Sequence, residues 1–203
     1  VKFDPNIYPY IEVYVYRFLK IFNPEFIMMM AAFYTPMFLS FFAIIFAFLI
    51  GKKLSGNLAG FVAAMLIAVN PTILSRSLGS DNDIVNAVFH LAIMFFAIYA
   101  FDSKDYKKTA IFTVITGILT GLYQFAWSGW WFMFIFLIAA AATYAVYLII
   151  HDFIKSGDFG KILENKDIKN IAIFIFLFFI STFVGLAIDG EGHQLFDSFK
   201  NPL

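Results

Sequence analysis

Apolar residues run along most of this chain in long stretches that short polar segments separate. A helix needs about 20 mainly apolar residues, within roughly 17–25, to cross the hydrocarbon core of a bilayer. The pattern predicts six membrane spans, at about 27–50, 58–74, 84–101, 109–126, 130–150 and 170–188. Pro71 lies near the end of the second span, where it can close a helix. The chain is therefore predicted to be an all-α polytopic membrane protein.

The residues before the first span follow a different pattern. Residues 8–22 interleave Tyr and Phe with Glu12, Arg17 and Lys20, so this segment is too charged and too aromatic to span. Such a segment favours a helix that lies in the membrane interface. We predict two parts: residues 1–26 as the end of an outer loop with an interfacial helix, and residues 27–203 as a transmembrane helical domain.

Charge alternates between successive connections. Segments 51–57, 102–108 and 151–169 together carry nine Lys, whereas the connections between them carry few cations. Because cytoplasmic loops are enriched in Lys and Arg, the Lys-rich segments are predicted to be cytoplasmic. The segments at 70–83, 127–129 and 189–203 are then predicted to face outward.

Composition supports this class and excludes others. Hydrophobic residues make up 62% of the chain and charged residues 14%, against about 25% charged in soluble domains. The formal net charge is zero, which gives no reason to expect a nucleic-acid partner. Because the sequence has no Cys, it excludes disulfides and thiolate metal sites within these residues.

Two carboxylates, Asp81 and Asp83, stand one residue apart directly before the third span. One interpretation is helix capping, since acids at a helix N-terminus bind free N–H groups and favour the helix dipole. The alternative is a divalent-metal site: two close ionised carboxylates repel unless a cation lies between them. Their hard oxygen ligands suit Mg²⁺ or Mn²⁺.

The helix after this pair carries further polar residues. Asp83, Asn86 and His90 fall at i, i+3 and i+7, so they share one face, and His90 lies about 10 Å deeper than Asp83. An interhelical hydrogen bond by His90 is one interpretation, and metal ligation or proton transfer is the other. Near the next outward turn, Trp127 belongs either to an interfacial aromatic belt or to an aromatic wall for a lipid chain or sugar.

Several motifs occur in an order that resembles the catalytic subunit of oligosaccharyltransferase, of the archaeal type. Tyr8-Pro9 and Phe33-Tyr-Thr-Pro36 precede a small-residue-rich stretch from Gly51 to Pro71. Ser75-Arg-Ser-Leu-Gly-Ser-Asp-Asn-Asp83 then resembles the family's second acidic motif, and Ala126-Trp-Ser-Gly129 resembles its Trp-Gly-Gly turn. The resemblance extends continuously from about residue 8 to residue 150.

The resemblance implies a GT-C-type membrane domain that transfers a glycan en bloc from a dolichol or polyprenol (pyro)phosphate carrier. The acceptor would be Asn in Asn-x-Ser/Thr, at the extracytoplasmic face. Asp81 and Asp83 would be the catalytic carboxylates that bind Mn²⁺ or Mg²⁺, with Arg76, His90 and Trp127 as further candidates for contact with substrate. The family's first acidic motif, its later Glu loop and its soluble C-terminal domain have no match here, so we expect an N-terminal transmembrane fragment that is inactive by itself.

Three alternatives stay open at this stage. The chain could belong to another polyprenol-phosphate-dependent membrane glycosyltransferase. It could be a transporter or channel in which Asp83, Asn86 and His90 line an ion path. It could also be a structural membrane protein in which Asp81 and Asp83 serve only as helix caps.

Overall fold

The computed structural model describes residues 7–76, 83–156 and 165–187. Within these residues the chain is helical and has no strand. The α-helices are α1 (Tyr8–Phe22), α2 (Met28–Ala68), α3 (Pro71–Arg76), α4 (Asp83–Asp102), α5 (Tyr106–Leu122), α6 (Trp131–Ser156) and α7 (Lys166–Ala187), with a short 3₁₀ turn at Tyr123–Phe125. The chain divides into two compact units, one of Val1–Phe95 with Phe125–Trp127 and one of Phe96–Gln124 with Ser128–Leu203.

The prediction of an all-α membrane protein is confirmed, although fewer than six separate helices, in the part of the chain that the structure describes, have the length and composition to cross a membrane. Among the described residues, four helices are long and apolar enough to cross a membrane: Met28–Ala68, Asp83–Asp102, Trp131–Lys155 and Lys166–Ala187. The first predicted span and most of the second fall in the single 41-residue helix α2. The fourth corresponds to α5, whose 17 residues extend about 26 Å, slightly less than the hydrocarbon core of about 30 Å.

Helix α2 is interrupted where the sequence predicted a loop. Ser55 and Gly56 depart from helical geometry, and Gly56 has φ 86° and ψ −175°. This region of backbone conformation is open essentially to glycine alone. A Cβ placed on Gly51 would lie 2.6 Å from the carbonyl oxygen of Ala59, although residues 51 and 59 of a straight helix would be about 12 Å apart. The helix therefore folds back on itself as a hairpin with arms at 28–54 and 57–68.

The second predicted span ends earlier than expected, because a capped turn begins directly after it. Helix α2 ends at Ala68, and the side-chain Oδ1 of Asn70 accepts hydrogen bonds from the backbone N–H groups of Thr72 (2.9 Å) and Ile73 (3.2 Å). Pro71 is the first residue of α3, a position where its missing N–H and fixed φ cost nothing. Pro71 thus starts a helix here instead of ending one.

In the second unit, α5 and α7 meet along a seam of small and hydroxyl-bearing residues. A Cβ on Gly121 would lie 2.5 Å from the carbonyl oxygen of Thr182, and one on Gly185 would lie 2.8 Å from that of Ile118. Side chains this small let the two backbones approach closely, which is a common way to pack helices in membranes. We call this contact the α5–α7 seam; its buried members are Thr109, Thr113, Thr116, Gly117, Thr120, Gly121, Ser181, Thr182 and Gly185.

Candidate functional site

Asp83 is the first residue of α4, and its side chain is exposed. The two residues that follow, Ile84 and Val85, are almost completely buried and fix the start of the helix in the first unit. An ionised carboxylate at this position interacts favourably with the positive end of the helix dipole. The structure therefore presents the Asp83 carboxylate at a rigidly anchored helix end, where both capping and ion binding are chemically possible.

His90 lies two turns further along the same helix and is half-buried. Its Nδ1 is 2.7 Å from the carbonyl oxygen of Asn86, one turn earlier. Since a carbonyl only accepts, Nδ1 carries the proton in this contact, and in the neutral ring Nε2 is then the acceptor nitrogen. The predicted common face of Asp83, Asn86 and His90 follows from the unbroken α4, while the hydrogen bond recorded for His90 is made within its own helix.

The structure brings Trp127 against His90. The centroids of their rings are 6.3 Å apart with an interplanar angle of 46°. Trp127 is 39% exposed, so one part of the indole stays accessible beside the histidine. Trp130, three residues later, is only 2% exposed and packs edge-on against Phe134, which is a core position and not one in an interfacial belt.

The beginning of α1 is tied to the same turn. The backbone N–H of Ile7 donates a hydrogen bond of 2.8 Å to the carbonyl oxygen of Phe125, two residues before Trp127. Sequence analysis missed this link, because a single main-chain hydrogen bond leaves no mark on side-chain pattern. It places the start of α1 next to the turn that carries Trp127.

Two of the predicted site residues cannot be placed in this way. Asp81 lies outside the described residues, and so does the side chain of Arg76, whose backbone ends α3. Within residues 7–76, 83–156 and 165–187, no group of three or more His, Asp or Glu could hold a metal ion. Of the predicted pair, only Asp83 lies among the described residues, and the pairing of Asp81 with Asp83 at a metal stays a prediction.

Comparison with known proteins gives a consistent result. Residues 1–196 match the family model for Oligosaccharyl transferase STT3, N-terminal. A Dolichyl-phosphooligosaccharide-protein glycotransferase of Methanococcus voltae is 31% identical over 148 residues, which cover 70% of this chain and 16% of the relative. The chain therefore spans only a small part of the relative's length. No solved structure matches the chain.

Proposed function

The chain belongs to the oligosaccharyl transferase STT3 family, and from that premise we propose that it supplies part of the active site of a membrane glycosyltransferase. The reaction would move a preassembled glycan from a dolichol or polyprenol (pyro)phosphate carrier to Asn in Asn-x-Ser/Thr. The observation that carries the proposal is the family match over residues 1–196, which includes the Asp81-Asn-Asp83 motif in front of α4. This match favours a transferase over the transporter and the structural protein considered above.

The chemistry requires positive charge near the departing phosphate, oxygen ligands that hold a cation there, and a surface for the sugar. Asp81 and Asp83 are proposed to hold Mn²⁺ or Mg²⁺, and such an ion would offset the charge that develops on the phosphate leaving group. Two carboxylates fill only part of the octahedral shell of Mg²⁺, so water, the substrate phosphate or other residues of the full-length protein would supply the remaining ligands. Arg76 is proposed to place positive charge near the same phosphate.

His90 and Trp127 are proposed to contact the substrate on the side of the site away from Asp83. The exposed part of the indole offers an apolar face to a sugar ring, and the adjacent imidazole offers a polar atom for a hydroxyl. His90 is held by its own hydrogen bond to the carbonyl of Asn86, so its ring orientation is fixed before a ligand binds. Fixed orientation lowers the entropy lost on binding.

The test is transfer of glycan to an Asn-x-Thr peptide by the full-length protein, with a purified lipid-linked oligosaccharide as donor. Asp83→Ala and Asp81→Ala are each expected to lower the rate about 100-fold or more, since removal of a group that stabilises developing charge commonly costs this much. Full activity in both single variants would rule out the proposed role.

Asp167→Ala is the matched control, because Asp167 is also an exposed acid in the first turn of a helix, α7. Both Asp83→Ala and Asp167→Ala remove a favourable interaction with a helix dipole, worth about 0.3–1 kcal/mol. Similar shifts in unfolding temperature with loss of transfer only in Asp83→Ala would separate catalysis from capping. Equal activity of the two variants would favour the capping interpretation.

Metal dependence and membrane orientation have separate tests. Chelation with EDTA is expected to stop transfer, and Mn²⁺ or Mg²⁺ to restore it; persistent transfer would remove the metal from the proposal but not the transferase. For orientation, Ser128→Cys in the predicted outward turn should react with an impermeant maleimide on intact cells, and Lys104→Cys should not. These 203 residues have no Cys of their own, so background labelling from them is absent.

A further inference from the structure

Helix α2 folds back at Ser55 and Gly56, and its two arms differ greatly in length. At about 1.5 Å per residue, the first arm (28–54) extends about 40 Å and the second arm (57–68) only about 18 Å. The hydrocarbon core of a bilayer is about 30 Å thick, and apolar helices of roughly 10–14 residues are typical of re-entrant segments or of helices buried in a protein. The first arm can therefore cross the core, whereas the second arm cannot.

A lysine fixes the level of the turn between the arms. Lys52 is exposed near the end of the first arm, and an exposed Lys places its charge at the boundary of the core or beyond it. From a turn at this boundary, the second arm stops about 12 Å short of the opposite boundary. A tilted arm, or a turn further out in water, would stop deeper still. A Lys side chain can reach the boundary from slightly inside the core, but not across such a distance.

The second arm has the surface of a helix that lies within the membrane. It carries no charged residue, and Asn57, at the turn, is its one residue with a polar side chain. Large apolar side chains are exposed along it, at Leu58, Phe61, Val62, Met65 and Leu66. Exposed residues of this kind suit contact with lipid hydrocarbon, so the arm belongs inside the core along its whole length.

Directly after this arm the chain leaves helical geometry. Helix α2 ends at Ala68, Val69 has φ −101° and ψ 3°, and α3 begins at Pro71. We call Val69 and Asn70 the α2–α3 break. Non-helical backbone at membrane depth is tolerated where it is buried in protein or lines a water-filled cavity, because lipid offers its polar groups no partner.

The backbone N–H groups across the α2–α3 break are all satisfied locally. Pro71 has no N–H to satisfy. The acceptors are the carbonyl oxygens of Met65 for Val69, of Ile67 for Asn70 and of Asn70 for Leu74, and the side-chain Oδ1 of Asn70 for Thr72 and Ile73. Such complete local pairing is what a break at membrane depth requires.

The remaining polar groups at this level call for hydrogen-bond donors and for hydration. The last carbonyl groups of a helix have no partner within the helix itself, and water can donate to them. The side chains of Asn70, Thr72 and Ser75 are exposed, and polar groups at such a depth face protein or a wet cavity instead of lipid. Arg76, at the end of α3, adds a charge that needs water or an ion partner.

We infer that the second arm of α2 crosses only part of the membrane and that the α2–α3 break lines a water-filled recess. The recess enters from the face opposite the Lys52 turn and reaches about 12 Å below the boundary of the core. It admits water and small hydrophilic groups to about the depth predicted for His90, which is about 10 Å below Asp83. The predicted outward segment 70–83 thus begins inside the membrane. This arrangement is independent of the glycosyltransfer reaction.

The experiment is electron paramagnetic resonance of single nitroxide labels on a cysteine-free version of the full-length protein in phosphatidylcholine liposomes. Collisions with a water-soluble nickel complex report water, and collisions with oxygen report hydrocarbon. Val69→Cys carries the test label and Phe41→Cys the matched control, because the two residues are 57% and 58% exposed and both lie about 20 Å from the turn along their arms. A label at Asn57→Cys marks the level of the turn itself.

We expect the ratio of nickel to oxygen collisions at Val69 to exceed that at Phe41 about fivefold or more, since lipid excludes the nickel complex. The label at Asn57 should also have a high ratio. Unchanged unfolding temperatures would show that the labelled variants still fold. Thr72→Cys, at another exposed position beside the α2–α3 break, replaces Val69→Cys if the latter lowers the unfolding temperature.

Three results would overturn the inference. Equally low ratios at Val69 and Phe41 would mean that lipid or another part of the full-length protein covers the α2–α3 break. Equally high ratios at both positions would place this level of the hairpin outside the core. A low ratio at Asn57 would place the turn inside the core, so that the second arm would reach the opposite boundary.

Discussion

The α2 hairpin of the first unit and the α5–α7 seam of the second unit are both built on close glycine contacts, but they use them differently. In the hairpin the close contacts lie near the turn, at Gly51 and Gly60. In the seam they lie at Gly117, Gly121 and Gly185, and buried residues continue along α5 from Thr109 to Gly121. In the most apolar stretch of α2, 28% of the residues are buried inside the protein, against 44% in that of α7.

The two regions therefore differ in what they contribute to the protein. The seam joins two helices along their length and leaves little space that a ligand could occupy. The hairpin is joined at one end and leaves apolar surface open elsewhere, including a groove beside α1. The candidate site at Asp83, His90 and Trp127 belongs to this more open first unit. We therefore expect substitutions in the seam to act on stability, and substitutions near the site to act on glycan transfer.

The largest effect on stability is expected from Gly121→Ala. The new Cβ would lie 2.5 Å from the carbonyl oxygen of Thr182 and 2.8 Å from the Cα of Gly185, and neither backbone atom can move alone. Overpacking of this kind costs about 1–3 kcal/mol or more, which exceeds the gain of at most about 1 kcal/mol from better helix propensity. Unfolding in mixed micelles measures the net change in the free energy of unfolding. A more stable variant would show that the seam is not closed at this point.

Substitution at the turn of the hairpin should also lower stability, but for a different reason. No atom lies within 4 Å of a Cβ placed on Gly56, so Gly56→Ala meets no steric obstacle from neighbours. Its φ of 86° with ψ −175° is nevertheless strained for any other residue, at about 1–3 kcal/mol. The same unfolding measurement should find this loss, while Asn57→Ala at the next, exposed position should have little effect. Equal effects of the two changes would contradict the role of backbone conformation.

Near the candidate site we expect the opposite result, namely a loss of glycan transfer with little loss of stability. Trp127→Ala should lower glycan transfer about tenfold, equivalent to about 1.4 kcal/mol in the barrier, with little change in unfolding temperature because the side chain is partly exposed. Phe136→Ala, at an exposed aromatic position of α6, serves as the control and should leave transfer unchanged. A loss of stability in Trp127→Ala as large as that in Gly121→Ala would make Trp127 a packing residue.

Much of the helical organisation followed from hydropathy, because a bilayer requires long apolar helices and leaves few other solutions. The interfacial helix predicted at 8–22 corresponds to α1 at Tyr8–Phe22, and the third predicted span at 84–101 to α4 at Asp83–Asp102. Hydropathy predicted a connection at 51–57 but not where in it the chain turns. Only Ser55 and Gly56 depart from helical geometry, and Lys52 and Lys53 still belong to the first arm.

The candidate site likewise has a part that the sequence predicts and a part that only the fold reveals. A helical period suffices to align Asp83, Asn86 and His90, since all three lie on one helix. The approach of Trp127 to His90 depends on how separate segments pack, which no local pattern encodes. The seam did leave a local signal, the spacing of Thr109, Thr113, Thr116 and Thr120, but its glycine contacts with α7 require the fold.

The smallest effects distinguish two hydroxyl groups of the same seam. The Oγ1 of Thr116 donates a hydrogen bond of 2.7 Å to the carbonyl oxygen of Phe112 in its own helix. The Oγ1 of Thr182 is buried and has no hydrogen-bond partner among the described residues. Valine has nearly the shape of threonine and the same branched Cβ, so replacement changes the hydroxyl and little else.

Thr116→Val should therefore lower the free energy of unfolding by about 0.5–1 kcal/mol, since it removes a satisfied hydrogen bond. Thr182→Val should leave it unchanged or raise it, because it removes a buried polar group that gains nothing in return. Both variants are compared in the same micelles by chemical unfolding. If Thr182→Val were the more destabilising of the two, the Thr182 hydroxyl would have to bind a partner outside the described residues, and the seam would extend beyond α5 and α7.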